Sequence, residues 1–188
     1  MAGRWLYSTL LTGLLTACSA LQPGDLLFHV TPQDNAITAV TPGMTDHVAI
    51  VLCRDSVIEA VPRQGVRVAP LDSLCTQPGY YVRARVRGAD RRQSLSRARQ
   101  YLGRAYDHLF LEGNEEIYCS ELVLLSFVDK HGNRLLHPVP MSFHDASGRV
   151  TPYWTAFYAR HGMAVPEGQP GSNPGELMQR KEIKKLKK

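Results

Sequence analysis

The sequence predicts an α+β domain in which an antiparallel sheet or barrel packs against helices. Two observations carry that expectation. Between residues 26 and 86, short apolar and β-branched runs alternate with Gly, Pro and Asp turns, the pattern of a strand meander. From residue 90 onward the apolar spacing becomes helical, without the strand–helix–strand alternation that builds a parallel sheet. With 188 residues, 44% of them hydrophobic, the chain can bury one substantial core and is too apolar to remain disordered.

The N-terminus comes first in the chain and reads as an export signal. A basic start at Arg4 precedes an apolar stretch from Trp5 through Leu15, too short to span a membrane. It ends Leu15-Thr16-Ala17-Cys18, which resembles the bacterial lipobox, whose Cys is diacylated and becomes the first residue after cleavage. The alternative is an ordinary signal peptide cut near Ala17 or Ala20, with Cys18 incidental. Ser19 after the Cys, in place of Asp, directs a lipoprotein to the outer membrane. The expectation is therefore a signal peptide over 1–17, a domain over 18–180 held to the envelope by lipid on Cys18, and a basic tail over 181–188. That last segment carries five Lys against one Glu and accounts for much of the net charge of +5. Such a run is expected to be solvated and frayed, with contact to an anionic envelope surface as the sharper alternative.

The mature chain opens with a turn at Pro23-Gly24-Asp25 and a strand over 26–30. After a loop broken at Pro42-Gly43, residues 47–53 form a nearly all-apolar, buried strand. A three-residue turn over 54–56 returns it as a hairpin over 57–61, followed by strands over 66–68 and 80–86. Asp90 caps a basic helix over 90–102, and Gly103 ends it. A second, apolar helix starts at Cys119 and is closed by His131-Gly132; a third covers 154–160, and the Pro- and Gly-rich stretch 162–175 reads as a surface wrap.

Composition excludes some classes. There is no aromatic-basic stripe for nucleic acid and no Gly-rich phosphate loop. The cysteines at 18, 53, 75 and 119 lack metal-ligand spacing, so neither metal nor cofactor is expected. In an oxidising compartment Cys53 and Cys75 have the option of pairing.

Chemistry points to Tyr118-Cys119-Ser120-Glu121. Cys119 falls in the first turn of its helix, where unpaired N–H groups and the helix dipole favour an anion and hence a thiolate. A buried, inert thiol is the plain alternative. Among seven histidines, His47 stands at the mouth of the driest strand, placed for a cleft edge. Glu59 is the one polar residue in Val57-Ile58-Glu59-Ala60-Val61, either facing water or accepting a hydrogen bond from an imidazolium that it orients. With a three-residue turn, Glu59 lies across from Val51 and on the order of 13 Å along the strand from His47, so twist, a bulge and a long side chain would have to close the gap.

Taken together, Gly24-Asp25-Leu26-Leu27-Phe28, Asp46-His47-Val48-Ala49-Ile50-Val51, Val57-Ile58-Glu59-Ala60-Val61, Leu102-Gly103-Arg104-Ala105-Tyr106-Asp107 and Tyr118-Cys119-Ser120-Glu121-Leu122-Val123 resemble the successive blocks of the YiiX/YaeF-like family. These are circularly permuted papain-fold cysteine hydrolases related to NlpC-type cell-wall peptidases. The resemblance covers about residues 23–130. It implies Cys119 as nucleophile, His47 as general base and Glu59 as the residue orienting His47. Tyr106 would line the site, and Tyr106 and Ser120 are the candidates for substrate or oxyanion contact. The implied activity is hydrolysis of an amide through an acyl-enzyme, with a peptidoglycan peptide or an N-acyl or lipid substrate as partner. The alternatives are a lipid-directed thiol acyltransferase or esterase, and a non-catalytic binding lipoprotein.

Overall fold

The computed structural model describes residues 21–76 and 78–187. The signal segment and Cys18 lie outside them. The centre is a six-stranded antiparallel sheet in the order β4-β3-β2-β1-β5-β8. Its strands are β1 (Asp25–Val30), β2 (Thr45–Cys53), β3 (Ser56–Val61), β4 (Gly65–Pro70), β5 (Tyr80–Val86) and β8 (Ile183–Lys185). The helices are α1 (Leu71–Leu74), α2 (Arg91–Gln100), α3 (Cys119–Ser126), α4 (Pro152–Arg160) and α5 (Pro174–Gln179). A small ladder pairs β6 (Val139–Pro140) with β7 (Pro170–Gly171).

Strand alternation divides the apolar residues. Leu26, Phe28, Val48, Ile50, Ile58 and Ala84 pack with Leu122, Val123 and Phe127 of the α3 region. The intervening positions Leu27, Ala49, Val51 and Val57 pack under Leu71 and Leu74 of α1. Helix α3 is therefore surrounded: seven of its eight residues are buried. It ends at Ser126, short of His131, because the chain at Val128 is claimed by α2. The Val128 carbonyl accepts from the Asp90 N–H at 2.9 Å, and Ser94 Oγ accepts from the Val128 N–H at 3.2 Å. Asp90 caps α2 as expected, accepting from the Gln93 N–H at 2.9 Å.

Two expectations are corrected here. The 181–188 segment is not a free tail, because Ile183–Lys185 is the edge strand beside β5 and Ile183 is buried. One apolar anchor and a row of ladder hydrogen bonds outweigh the lysines, whose charged ends stay exposed. Nor is 162–175 a simple wrap: it contributes β7 and the start of α5, where Gly171, Ser172, Pro174 and Gly175 are buried.

Among the described residues no disulfide joins Cys53 to Cys75.

Candidate active site

The hairpin that carries the site turns more tightly than expected. Cys53 pairs directly with Ser56, leaving Arg54 and Asp55 as the turn, and the register shifts between Val51 and Cys53. Val51 then faces Val57, so Glu59 continues opposite Ala49 and is diagonal to His47 instead of two pairs away. A diagonal pair on one face lies within reach of a long side chain. The outcome is a 2.9 Å hydrogen bond between His47 Nε2 and Glu59 Oε2.

Glu59 is 1% exposed, and burial alone would push its carboxyl up. His47 and Arg67 outweigh that and hold it below the usual carboxylate range. Arg67 sits directly across the β3–β4 ladder and donates from Nε at 3.1 Å and Nη2 at 2.8 Å to Oε1. Sequence reasoning missed Arg67, although hairpin arithmetic about the turn before Gly65 would have placed it. A paired guanidinium and imidazole resolve the cost of an otherwise orphaned buried carboxylate.

Cys119 is the first residue of α3 and is 5% exposed. Its side chain hydrogen-bonds His47. Because Nε2 is taken by Glu59, Nδ1 is the ring nitrogen left to face the sulfur. Burial works against charge on His47, yet the Cys119 and Glu59 hydrogen bonds and charges raise its pKa to about 10. The ring is therefore protonated at neutral pH.

The chain leading into α3 is braced from the sheet. The Val66 N–H donates to the Arg104 carbonyl at 2.9 Å and the Ile117 N–H to that of Ala105 at 2.9 Å. Asp107, fully buried, accepts from the N–H groups of Leu109, Phe110 and Leu111 at 2.7, 3.0 and 2.6 Å. Those bonds fold the 107–114 loop and set Tyr106 and Phe110 beside the thiol. Tyr106 lines the cleft, and its burial, with the charge of Cys119 next, pushes its hydroxyl well above the usual tyrosine range, so it remains a donor. Ser120 also lines the cleft, but its Oγ is occupied, accepting from Ser172 Oγ at 2.9 Å.

The cleft, about 470 Å³ with the solvent at its mouth included, is lined in large part by residues beyond 135. Met141, Phe143 and Trp154 line it together with Ile37 and Val40, which pack against the same apolar cluster, and with Ser172 and Asn173. None of these was singled out in advance. Their segments carry weak periodicity, and a wall built from separate loops has no sequence spacing to betray it. Asp46, next to His47, lies on the rim, bonded to His29 Nδ1 at 2.7 Å.

A helix with a thiol at its first turn, docked on an antiparallel sheet that supplies the imidazole from an earlier strand, defines a papain-like hydrolase with its catalytic order permuted. The family model described as "Permuted papain-like amidase enzyme, YaeF/YiiX" matches residues 20–187, and the chain belongs to that family of cysteine amidases. It is 30% identical over 146 residues to the uncharacterized protein YiiX of Escherichia coli K12, covering 72% of this chain and 71% of that protein. Its fold is similar to the crystal structure of the metalloprotein yiiX from Escherichia coli O157:H7, with a TM-score of 0.69 at 22% identity, over 89% of this chain and 97% of that one. The matched span extends well beyond residue 130 and takes in the far wall of the cleft.

Proposed function

We propose that this protein is an envelope-anchored amidase in which Cys119, His47 and Glu59 act as a catalytic triad on a peptidoglycan peptide or a related amide. The observation that carries the reading is the alignment of the three side chains, thiol to imidazole to carboxylate, at a cleft. The thiolate of Cys119 attacks the scissile carbonyl carbon while His47 holds the proton. The oxyanion is met by free N–H groups at the start of α3 and by the Tyr106 hydroxyl. For Ser120 the role falls to its backbone N–H, since its hydroxyl already serves Ser172. His47 passes its proton to the leaving amine, the C–N bond breaks and a thioester remains on Cys119. Water, deprotonated by His47, then releases the carboxylic acid and restores the ion pair. Glu59 keeps the ring oriented throughout.

The solved relative is described as a metalloprotein. Among the described residues here, no group of three or more His, Cys, Asp or Glu side chains is arranged to hold a metal ion.

The apolar wall of Met141, Phe143 and Trp154 favours a second substrate class, N-acyl amides or lipid esters, handled by the same thioester chemistry. The test is a panel of muropeptides, N-acyl amides and phospholipid esters incubated with wild type and Cys119→Ala. Turnover of one class, lost in the variant, chooses the substrate; turnover that survives in Cys119→Ala removes the triad. Anchoring through Cys18, expected at the outer membrane, is tested by membrane extraction of wild type against Cys18→Ala, where equal solubility would remove the anchor.

A further inference from the structure

We infer that the basic face at the β5–β8 end of the sheet docks on an anionic phospholipid surface. The face is contiguous by its contacts. Gln22 Oε1 accepts from Arg91 Nη1 at 2.6 Å and from Arg85 Nη2 at 3.1 Å. Arg85 pairs across the ladder with Lys184, and Arg87 Nε donates to the Lys181 carbonyl at 3.1 Å. Lys185 and Lys187 extend the charge along the edge strand.

Across the ladder from Lys184, Arg85 is paired with the buried Asp25, which leaves Arg87, Lys181 and Lys184 as the open charge of this face. Asp25 is fully buried between Arg83 and Arg85, Asp90 is spent capping α2, and Glu182 is a single charge among Arg87, Lys181 and Lys184. Arg87, Lys181 and Lys184 are all exposed.

Position supplies the partner. On the lipid-anchor reading, on which this inference rests, only Ser19 and Ala20 separate Cys18 from Leu21, at most about 11 Å of extended chain. Gln22, which follows Leu21, is the hub of the basic face. An acyl chain in the bilayer therefore brings these cations within about one Debye length of the headgroups.

The experiment uses the full chain bearing Cys18→Ala, so that no acyl anchor forms. Binding to phosphatidylcholine vesicles is compared with binding to vesicles containing about one-third phosphatidylglycerol. The comparison is repeated with Arg87→Glu/Lys184→Glu and with the distant control Arg149→Glu, after circular dichroism melts confirm folding. The expected result is phosphatidylglycerol-dependent binding that weakens with salt, survives in the control and falls at least tenfold in the double variant. Equal binding to both vesicle types, or equal loss in double variant and control, would overturn the inference. Failure of the anchor itself is read separately, in the extraction of wild type against Cys18→Ala.

Discussion

At the scale of single residues, the site rests on a carboxylate that would be costly to bury alone. Glu59 stands between an imidazolium and a guanidinium, and each partner answers one of its oxygens. Glu59→Gln keeps an acceptor of the same shape but removes the charge that favours protonated His47. The expected result is a loss in kcat on the order of 100-fold, the size of a general acid–base contribution, with a melting temperature near that of wild type. Steady-state kinetics beside a thermal melt checks this, and an unchanged kcat would remove Glu59 from the triad.

Glu121, also in the Cys119 helix, behaves in the opposite sense. Burial, with a smaller push from Asp107 and Glu112, raises its pKa to about 8. Unfolded, it ionises in the ordinary Glu range near 4.3; folded, it stays neutral until about pH 8. The folded state therefore holds the extra proton in that window, and stability falls as pH rises through it. Glu121→Gln should flatten this slope, so wild type loses more melting temperature between pH 5 and pH 8 than the variant does. Parallel losses would show that Glu121 does not titrate in that window. Cys119, His47 and Glu59 were singled out from the sequence, as a thiol in a first helical turn, a histidine at a strand mouth and a carboxylate in an apolar strand, and the structure brings the three together. Arg67 was not, since a basic residue in a half-exposed strand breaks nothing.

At the scale of elements, the β2–β3 turn decided whether His47 and Glu59 could meet. Apolar alternation located both strands, but a turn of two residues with an adjacent bulge and a turn of three fit the same letters. Only the pairing partner of Cys53 separates them. The contact of β4 with the 103–105 segment was equally hidden. Gly65 has φ of 65° there, and a Cβ would stand 2.0 Å from the Arg104 carbonyl oxygen. Gly65→Ala combines left-handed strain with a backbone clash, and about 2–3 kcal/mol of destabilisation is expected. Denaturant unfolding measures it; a cost below about 0.5 kcal/mol, typical of an exposed surface site, would mean the brace is dispensable.

For the whole molecule, the α+β class and the strand-then-helix order were evident from periodicity, while the role of the last fifty residues was not. Two-residue strands and a six-residue helix carry too few side chains to show a period, yet they close the cleft and the sheet edge. Truncation after Arg180 removes β8 and exposes the surface that Ile183 covers. Losing one buried Ile and its ladder should cost about 2–3 kcal/mol, a melting-temperature drop of about 5–10 °C for a domain of this size. An unchanged melt would return 181–188 to the status of a tail.

The pairing of Cys119 with a protonated His47 carries the reading of the site. Its most direct test is the rate of iodoacetamide alkylation at Cys119 between pH 5 and pH 9, read by mass spectrometry in wild type and His47→Ala. Wild type is expected to alkylate faster than His47→Ala at pH 6, where a protonated ring beside the sulfur favours its reactive form, and the His47→Ala rate to fall about tenfold per pH unit below the ordinary thiol range near 8.5. Two superimposable curves, both falling below that range, would contradict it.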